Sequence, residues 1–118
     1  MSWNYFKREE FECPCGCGEN KIQDELINLL DEARSMCDFP FHINSGYRCI
    51  THNKAVGGKR TSAHRYGLAA DIACYDSHKR WSMLDVFFTL GVHRIGVSKN
   101  FIHVDIDEDL PKEVVWLY

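Results

Sequence analysis

Long apolar segments and clustered basic residues are both lacking in this 118-residue sequence. No segment approaches the roughly 20 apolar residues of a membrane-spanning helix, so membrane insertion is not expected. The start of the sequence also lacks the apolar run of a signal peptide, and we expect synthesis in the cytoplasm. The 14 Lys and Arg residues are scattered and outnumbered by 17 acidic residues, which gives a net charge of -3. This balance disfavours nucleic acid as a partner.

Internal repeats, low-complexity tracts and linkers are absent as well. Apolar residues make up 45% and aromatic residues 13% of the sequence, which is enough for a hydrophobic core. Since single domains usually contain about 100–150 residues, we expect residues 1–118 to form one domain. We also expect a monomer. Residues 1–20 are predicted to form an irregular arm that Phe6 and Phe11 pin to the core.

Two segments have the spacing of amphipathic helices. In residues 21–37, apolar side chains recur at intervals of three and four, and Asn20 is the predicted N-cap. A second helix of about twelve residues is predicted to start with Ser77 as its cap. Its apolar face is predicted to contain Trp81, Leu84, Phe87 and Phe88.

The remaining patterns predict short strands and one short helix. The helix is predicted at residues 49–55, and strands are predicted at residues 41–45, 68–74, 94–97 and 101–107. Two main helices and about four strands in this order predict an α+β fold. In that fold the helices pack on one face of a mostly antiparallel sheet.

Six cysteines are many for a short chain in a reducing compartment. Cys37 and Cys74 each end an apolar pattern, so we expect them to be buried. Three others are clustered: Cys13, Cys15 and Cys17. Their C-x-C-x-C spacing differs from the paired C-x2-C of most structural metal sites. A second metal ion, a disulfide with Cys49 and free thiols are the alternatives, and free thiols are favoured because cytosolic thiols stay reduced.

The segment 102–107 alternates strictly between apolar and polar residues. Successive side chains of a strand point to opposite faces, so the polar ones share a face. That predicted face contains His103, Asp105 and Asp107. Taken alone, the pattern favours the solvated face of an edge strand.

A second polar pair lies upstream, at His64 and Asp71. An extended chain would separate these residues by about 23 Å, so they can share a ligand only if the chain folds back. Gly67 permits such a turn. Taken alone, the pair is more typical of a structural turn.

Together with His103, this pair provides two imidazoles and one carboxylate. Three protein ligands leave the fourth position of Zn²⁺ open, as in catalytic sites. We therefore predict one zinc ion, held by His64, Asp71 and His103. Because zinc activates water and polarises a carbonyl, hydrolysis of a peptide bond is the expected chemistry.

Residues 62–71, SAHRYGLAAD, match the pattern S-x-H-x-x-G-x-A-x-D. This segment resembles the metal motif of peptidase family M15, which comprises zinc D-Ala-D-Ala carboxypeptidases and related peptidoglycan peptidases. The sequence SGYRC at residues 45–49 is similar to an upstream block of that family. The opening FECPCGCG at residues 11–18 resembles its phage and bacterial branch. The resemblance implies the metal-site fold that the family shares with lysostaphin-type enzymes and the hedgehog domain.

The resemblance also implies roles for individual residues. His64, Asp71 and His103 would bind zinc. Arg48 would hold a carboxylate or carbonyl of the substrate, and its alternative is an ordinary surface side chain. Ser62 would bind substrate or orient its loop, and its alternative is a turn-capping hydroxyl.

The general base is the point at which this sequence departs from the family. Many members have an acidic residue or a histidine two or three positions before the last ligand, where this chain has Asn100 and Phe101. Asp105 is the best local carboxylate, so we assign it and Arg48 to catalysis. Whether Asp105 is a base or orients a ligand imidazole stays open. Three further histidines are expected to be structural or exposed: His42, His52 and His93.

These inferences favour a zinc metallopeptidase that hydrolyses peptidoglycan stem peptides, as a carboxypeptidase or an endopeptidase. It would act on the cell wall after release or as part of a phage particle. One alternative is a zinc-containing module that binds cell-wall peptides without cleaving them. Another is a structural zinc protein organised by the cysteine cluster, whose metal content would survive His103→Ala.

Overall fold

Five strands form one sheet in the computed structural model, which describes residues 2–118. They are β1 (Ile43–Ser45), β2 (Ala69–Ala73), β3 (Arg94–Val97), β4 (Phe101–Asp105) and β5 (Val114–Leu117). Their order across the sheet is β1-β2-β4-β3-β5, and only the pairing of β3 with β5 is parallel within these residues. The predicted, mostly antiparallel α+β sheet is therefore confirmed, and β5 is an additional strand.

Three α-helices accompany the sheet within the described part of the chain. They are α1 (Asp24–Met36), α2 (Ile50–Ala55) and α3 (Ser77–Thr89). Two 3₁₀ helices span Arg8–Phe11 and Ala63–Tyr66. Every helix within residues 2–118 is too short or too polar to cross a bilayer.

The hydrophobic core lies between the sheet and the pair α1 and α3. The sheet contributes fully buried side chains such as Ile95, Ile102 and Val104, and the helices contribute side chains such as Leu30 and Phe87. Each large apolar side chain buried in this way stabilises the fold by about 1.5–3 kcal/mol. Because side chains alternate along β4, His103 and Asp105 point to the opposite face of the sheet.

The N-terminal arm is held against this core as predicted. Phe6 and Phe11 are buried, with ring centroids 5.6 Å apart. The burial predicted for Cys37 and Cys74 is also confirmed.

Helix α1 begins later than the apolar spacing predicts, at Asp24. The backbone amide of Ile22 donates to the side chain of Asn20 over 3.2 Å, and the amide of Gln23 donates to the carbonyl of Gly67 over 2.9 Å. These bonds keep the preceding residues outside the helix. The N-cap is therefore Gln23, and the prediction of Asn20 was wrong.

The cap of α3 is also one residue away from the prediction. The carboxylate of Asp76 accepts hydrogen bonds from the backbone amides of His78 and Lys79 at 2.7 and 3.1 Å. Ser77 is therefore the first helical residue rather than the cap. A carboxylate at the N-cap satisfies amides that have no partner inside the helix.

The buried face of α3 includes part of the predicted set, since Phe87 is buried and Leu84 packs against the core. Trp81 and Phe88 are 70% and 54% exposed, respectively. The residues that point into the core are Met83, Val86 and Phe87. Because this helix has large apolar side chains on several sides, its sequence spacing does not select one face.

Strand β4 ends at Asp105, so Asp107 does not extend its polar face as predicted. The amide of Asp107 donates to Asp105 Oδ1 over 3.3 Å, and its carboxylate accepts from the amide of Asp109 over 2.9 Å. These bonds turn the chain after the strand. Asp107 is therefore part of a buried turn.

Candidate metal centre

Two of the residues of the candidate centre lie on neighbouring strands. Asp71 of β2 and His103 of β4 are direct partners in the antiparallel register, so their side chains lie side by side on one face. Asp71 Oδ1 is 2.8 Å from His103 Nδ1. The strand pairing thus positions two of the three predicted ligands.

The third predicted ligand, His64, comes from the 3₁₀ helix Ala63–Tyr66. Gly67 ends this helix in the left-handed conformation, with φ of 71°. A Cβ atom there would lie 2.0 Å from the carbonyl oxygen of Lys21. The turn predicted at Gly67 is confirmed, and it returns the chain into β2. His64 Nε2 consequently lies 3.3 Å from Asp71 Oδ1.

These three residues fit a zinc ion. Each offers one ligand atom, and these atoms all lie within 4.8 Å of one another. Tetrahedral zinc with bonds of about 2.0–2.1 Å needs its ligand atoms to be about 3.3 Å apart. Two imidazoles and one carboxylate are a donor set that zinc accepts in catalytic sites. The residues of the described chain therefore match the predicted set.

Both imidazoles are fixed through their second ring nitrogen. His64 Nδ1 lies 2.7 Å from the carbonyl oxygen of Gly46, which leaves Nε2 directed at Asp71. His103 Nε2 lies 2.7 Å from Asp105 Oδ2, which leaves Nδ1 directed at the same carboxylate. Metal-binding histidines typically have such partners, because these orient the ring and select its tautomer.

The ionisable groups of the cluster shift one another's pKa values towards the charged forms. Burial opposes ionisation of Asp71, but hydrogen bonds and charges from His103 and His64 outweigh it and hold the pKa of Asp71 well below its usual range. Burial likewise opposes protonation of His103, but its bonds to Asp105 and Asp71 raise its pKa above the usual 6.5. A positive charge is therefore favoured between the two carboxylates, whether a proton or a metal ion supplies it.

Asp105 lies behind His103 rather than beside the other two predicted ligands. It is 2% exposed, and its second oxygen accepts a hydrogen bond from Arg94 Nε over 2.8 Å. Arg94 was not among the predicted site residues. Although it starts a predicted strand, its position opposite Asp105 follows from the β3–β4 register, which local sequence does not reveal.

Arg48 and Ser62 contact each other at the cleft. Arg48 Nη2 donates to Ser62 Oγ over 3.3 Å, and the same hydroxyl accepts from the amide of His64 over 3.3 Å. Ser62 therefore has the capping role that the sequence left open. Burial lowers the pKa of Arg48, and the charge of Asp71 opposes that shift.

The three predicted ligands line a cleft of about 850 Å³. One wall is formed by Trp116 of β5 and by Tyr118, which the sequence reasoning missed. Trp116 lies 5.3 Å from His103 between ring centroids. Gly96 makes room for this wall, because a Cβ atom there would lie 2.6 Å from the Trp116 indole nitrogen. The run of apolar and aromatic residues at 114–118, with two β-branched valines, was the available signal for a strand.

The other candidate bases lie apart from this cleft. Within the described residues, the cleft lining does not include His42, His52 or His93. His42 and His93 are exposed and His52 is half-buried. Asn100 is exposed, while Phe101 lines the cleft.

The α+β fold and a two-histidine, one-carboxylate centre in a cleft define a candidate metallopeptidase. A family model described as Peptidase M15 matches residues 4–105. The chain belongs to the peptidase M15 family. A 38-residue stretch is also 47% identical to the zinc D-Ala-D-Ala carboxypeptidase of Streptomyces albus G. That stretch covers 32% of this chain and 15% of the length of that enzyme. Both findings support a zinc peptidase.

Proposed function

We propose that this chain is a zinc-dependent peptidase that hydrolyses peptide bonds in peptidoglycan stem peptides. The observation that carries the proposal is the convergence of His64, Asp71 and His103 at a cleft, with both imidazoles already oriented. The name of the Streptomyces albus G relative supports the substrate class.

The three converging residues would hold the ion. Bound there, zinc supplies Lewis acidity towards a carbonyl and a reactive water at neutral pH. Asp71 contributes the negative charge of the donor set, since its pKa is held low. His64 and His103 contribute neutral nitrogens, provided that His103 gives up its proton.

Arg48 is the group best suited to the substrate's carboxylate. Its guanidinium is half-buried at the cleft, and its Nε atom is buried with no hydrogen-bond partner among the described residues. The hydrogen bond to Ser62 holds one end of the Arg48 side chain. This side chain therefore loses less conformational freedom when a substrate binds. Lys59 also lines the cleft and adds a second positive charge. We therefore favour a peptide with a free terminal carboxylate, as in a carboxypeptidase reaction.

Asp105 has the contacts of a positioning residue. One of its oxygens faces His103 Nε2, and the other is occupied by Arg94. A base would have to reach the open side of the centre, next to His103 Nδ1. We therefore propose that Asp105 orients His103 and supports its donor strength.

The experiment is incubation of the zinc-loaded protein with purified muropeptides, followed by analysis of the products. Release of D-Ala supports a carboxypeptidase, and shortened fragments without free D-Ala support an endopeptidase. The matched control is His64→Ala, which removes one ligand from a short 3₁₀ helix outside the sheet. Equal turnover by this variant would contradict the proposal.

A binding module is the second candidate, and one observation favours it. Within residues 2–118 the cleft lining contains no carboxylate other than Asp71 and Asp105, and Asp105 lies behind His103. A zinc-loaded protein that binds muropeptides but releases no product would establish this function instead.

A further inference from the structure

A second set of metal-binding side chains lies where the N-terminal arm meets α2. Four cysteines, Cys13, Cys15, Cys17 and Cys49, each offer a sulfur atom, and these atoms all lie within 4.8 Å of one another. Cys15 Sγ is 3.4 Å from Cys13 Sγ and 3.6 Å from Cys49 Sγ. The cluster thus joins three arm residues to one that is more than thirty positions away in sequence.

The spacing of these sulfur atoms fits a metal ion better than a disulfide. Tetrahedral zinc with Zn–S bonds of about 2.3 Å requires sulfur atoms about 3.8 Å apart. A disulfide requires about 2.05 Å and accounts for two sulfur atoms at most. All six cysteines are free thiols in the structure. Convergence of four sulfur atoms therefore needs another explanation.

Backbone amides point at three of the four sulfur atoms. Cys13 accepts from the amide of Cys49, Cys49 from the amide of His52, and Cys17 from the amide of Glu19, each over 3.4 Å. Hydrogen bonds to sulfur favour the thiolate, which is the form that binds metals. Cys13 and Cys49 are buried, whereas Cys15 and Cys17 are exposed and leave a path for an ion.

We propose that Cys13, Cys15, Cys17 and Cys49 bind a structural zinc ion, in addition to the ion of the histidine centre. Four thiols lose their protons as the ion binds, so the filled site has a net charge of -2. Because protein sulfur atoms occupy all four positions, this site has no place for a water or a substrate.

The ion would connect the N-terminal arm to the chain segment that borders the cleft. Cys49 directly follows Arg48, and Gly46 in the same segment accepts the bond that orients His64. The amide of Tyr47 already donates to the carbonyl of Phe11 over 2.8 Å, so the arm and this segment are in contact. Loss of the cysteine-bound ion would therefore loosen the arm and lower the melting temperature.

The test is the zinc content of the purified, reduced protein, measured by elemental analysis. We expect two ions per chain in the wild type, one in His103→Ala, and one in the double variant Cys15→Ser/Cys17→Ser. Both substituted cysteines are exposed, so the double variant should fold. The matched control is Cys37→Ala, which replaces one buried thiol outside the cluster with a small apolar side chain and should retain two ions.

Cobalt substitution gives an independent measurement. We expect sulfur-to-cobalt charge-transfer absorption that persists in His103→Ala and disappears in Cys15→Ser/Cys17→Ser. A wild type with one ion that His103→Ala removes would overturn the proposal, as would a disulfide within the cluster under reducing conditions. A single ion that survives His103→Ala would instead overturn the proposed peptidase and leave the cysteine site standing.

Discussion

Asp71 and His103 are cross-strand partners whose side chains approach to 2.8 Å, at the junction of β2 and β4. Both residues belong to strands that are paired on both sides in the sheet order β1-β2-β4-β3-β5. Their separation is therefore fixed by backbone hydrogen bonds rather than by a ligand. The site needs little rearrangement to accept an ion, which favours tight binding.

Zinc should stabilise the fold through Asp71. A ligand that binds only the folded state at a thousandfold excess over its Kd adds about 4 kcal/mol of stability. Asp71→Asn should reduce the zinc-dependent rise in melting temperature, measured by calorimetry on metal-free protein with added zinc. The exposed Asp38 provides the control, since Asp38→Asn should retain the full rise. An unchanged rise in Asp71→Asn would argue against this centre.

Asp105→Asn should weaken zinc binding at the histidine centre by about 10–100-fold, because it removes the carboxylate behind His103. At saturating zinc we expect kcat to recover and KM to stay unchanged. Isothermal titration and steady-state kinetics check this together. Asp107→Asn is the control, since its carboxylate serves a turn. A kcat that stays low at saturating zinc would indicate a general base instead.

Arg48→Lys should lower kcat/KM about ten- to a hundredfold, mainly through KM. A lysine keeps the charge but loses the planar fork, and hydrogen bonds to charged groups contribute about 1.5–3 kcal/mol. The loss should shrink with a substrate whose terminal carboxylate is amidated. Arg80→Lys, on α3 and outside the cleft lining, should leave the kinetics unchanged. Equal losses for both substrates would argue against carboxylate recognition.

Gly67→Ala should destabilise the protein more than Gly91→Ala. Both glycines have a positive φ, 71° and 80°, so both substitutions incur the left-handed penalty of about 1–2 kcal/mol. A Cβ at Gly91 meets no atom within 4 Å, whereas one at Gly67 meets the Lys21 carbonyl. Urea unfolding of the two variants measures the difference. Similar urea midpoints would mean that the backbone at Lys21 moves aside without lowering the free energy of unfolding.

The metal-free protein should be most stable in mildly acidic solution. The raised pKa of His103 gives stability that is complete below its unfolded value of 6.5 and is lost as pH rises through the folded value. The lowered pKa of Asp71 gives stability that is present above 3.8 and is lost at lower pH. Urea midpoints across about pH 2–9 check both declines, and His103→Ala should flatten the decline above pH 6.5.

The zinc-loaded protein should respond to pH in the opposite sense. Protons compete with the ion for the imidazoles, so stabilisation by zinc falls as pH falls. A loaded protein whose melting temperature rises on acidification from neutral pH would contradict zinc binding by His103.

Local patterns were sufficient for much of this site. Alternation in residues 102–107 put His103 and Asp105 on one face, and the glycine at position 67 indicated the turn that returns the chain towards His64. In both cases the relevant neighbours lie a few residues apart. The antiparallel sheet followed from the order of helices and strands.

Features that depend on distant pairing were not accessible in the same way. The apolar run at 114–118 is typical of a strand. Its parallel pairing with β3 brings Trp116 next to His103, and that pairing depends on the order of all the strands in the sheet. The approach of Cys49 to the arm cysteines also spans more than thirty residues. The sequence left Cys49 as one alternative disulfide partner, and spacing could not show that its sulfur lies within 4.8 Å of all three arm sulfurs.

The two sides of the cleft differ in how far their sequence can change without loss of the candidate metal centre. On one side, the segment from Gly46 to Gly67 carries Arg48, Ser62 and His64, so altering its length would disturb the proposed substrate contact and the candidate metal centre together. On the other side, Trp116 lies on an edge strand and supplies no ligand atom. Variation of substrate preference, by evolution or by library selection, is therefore best sought along β5.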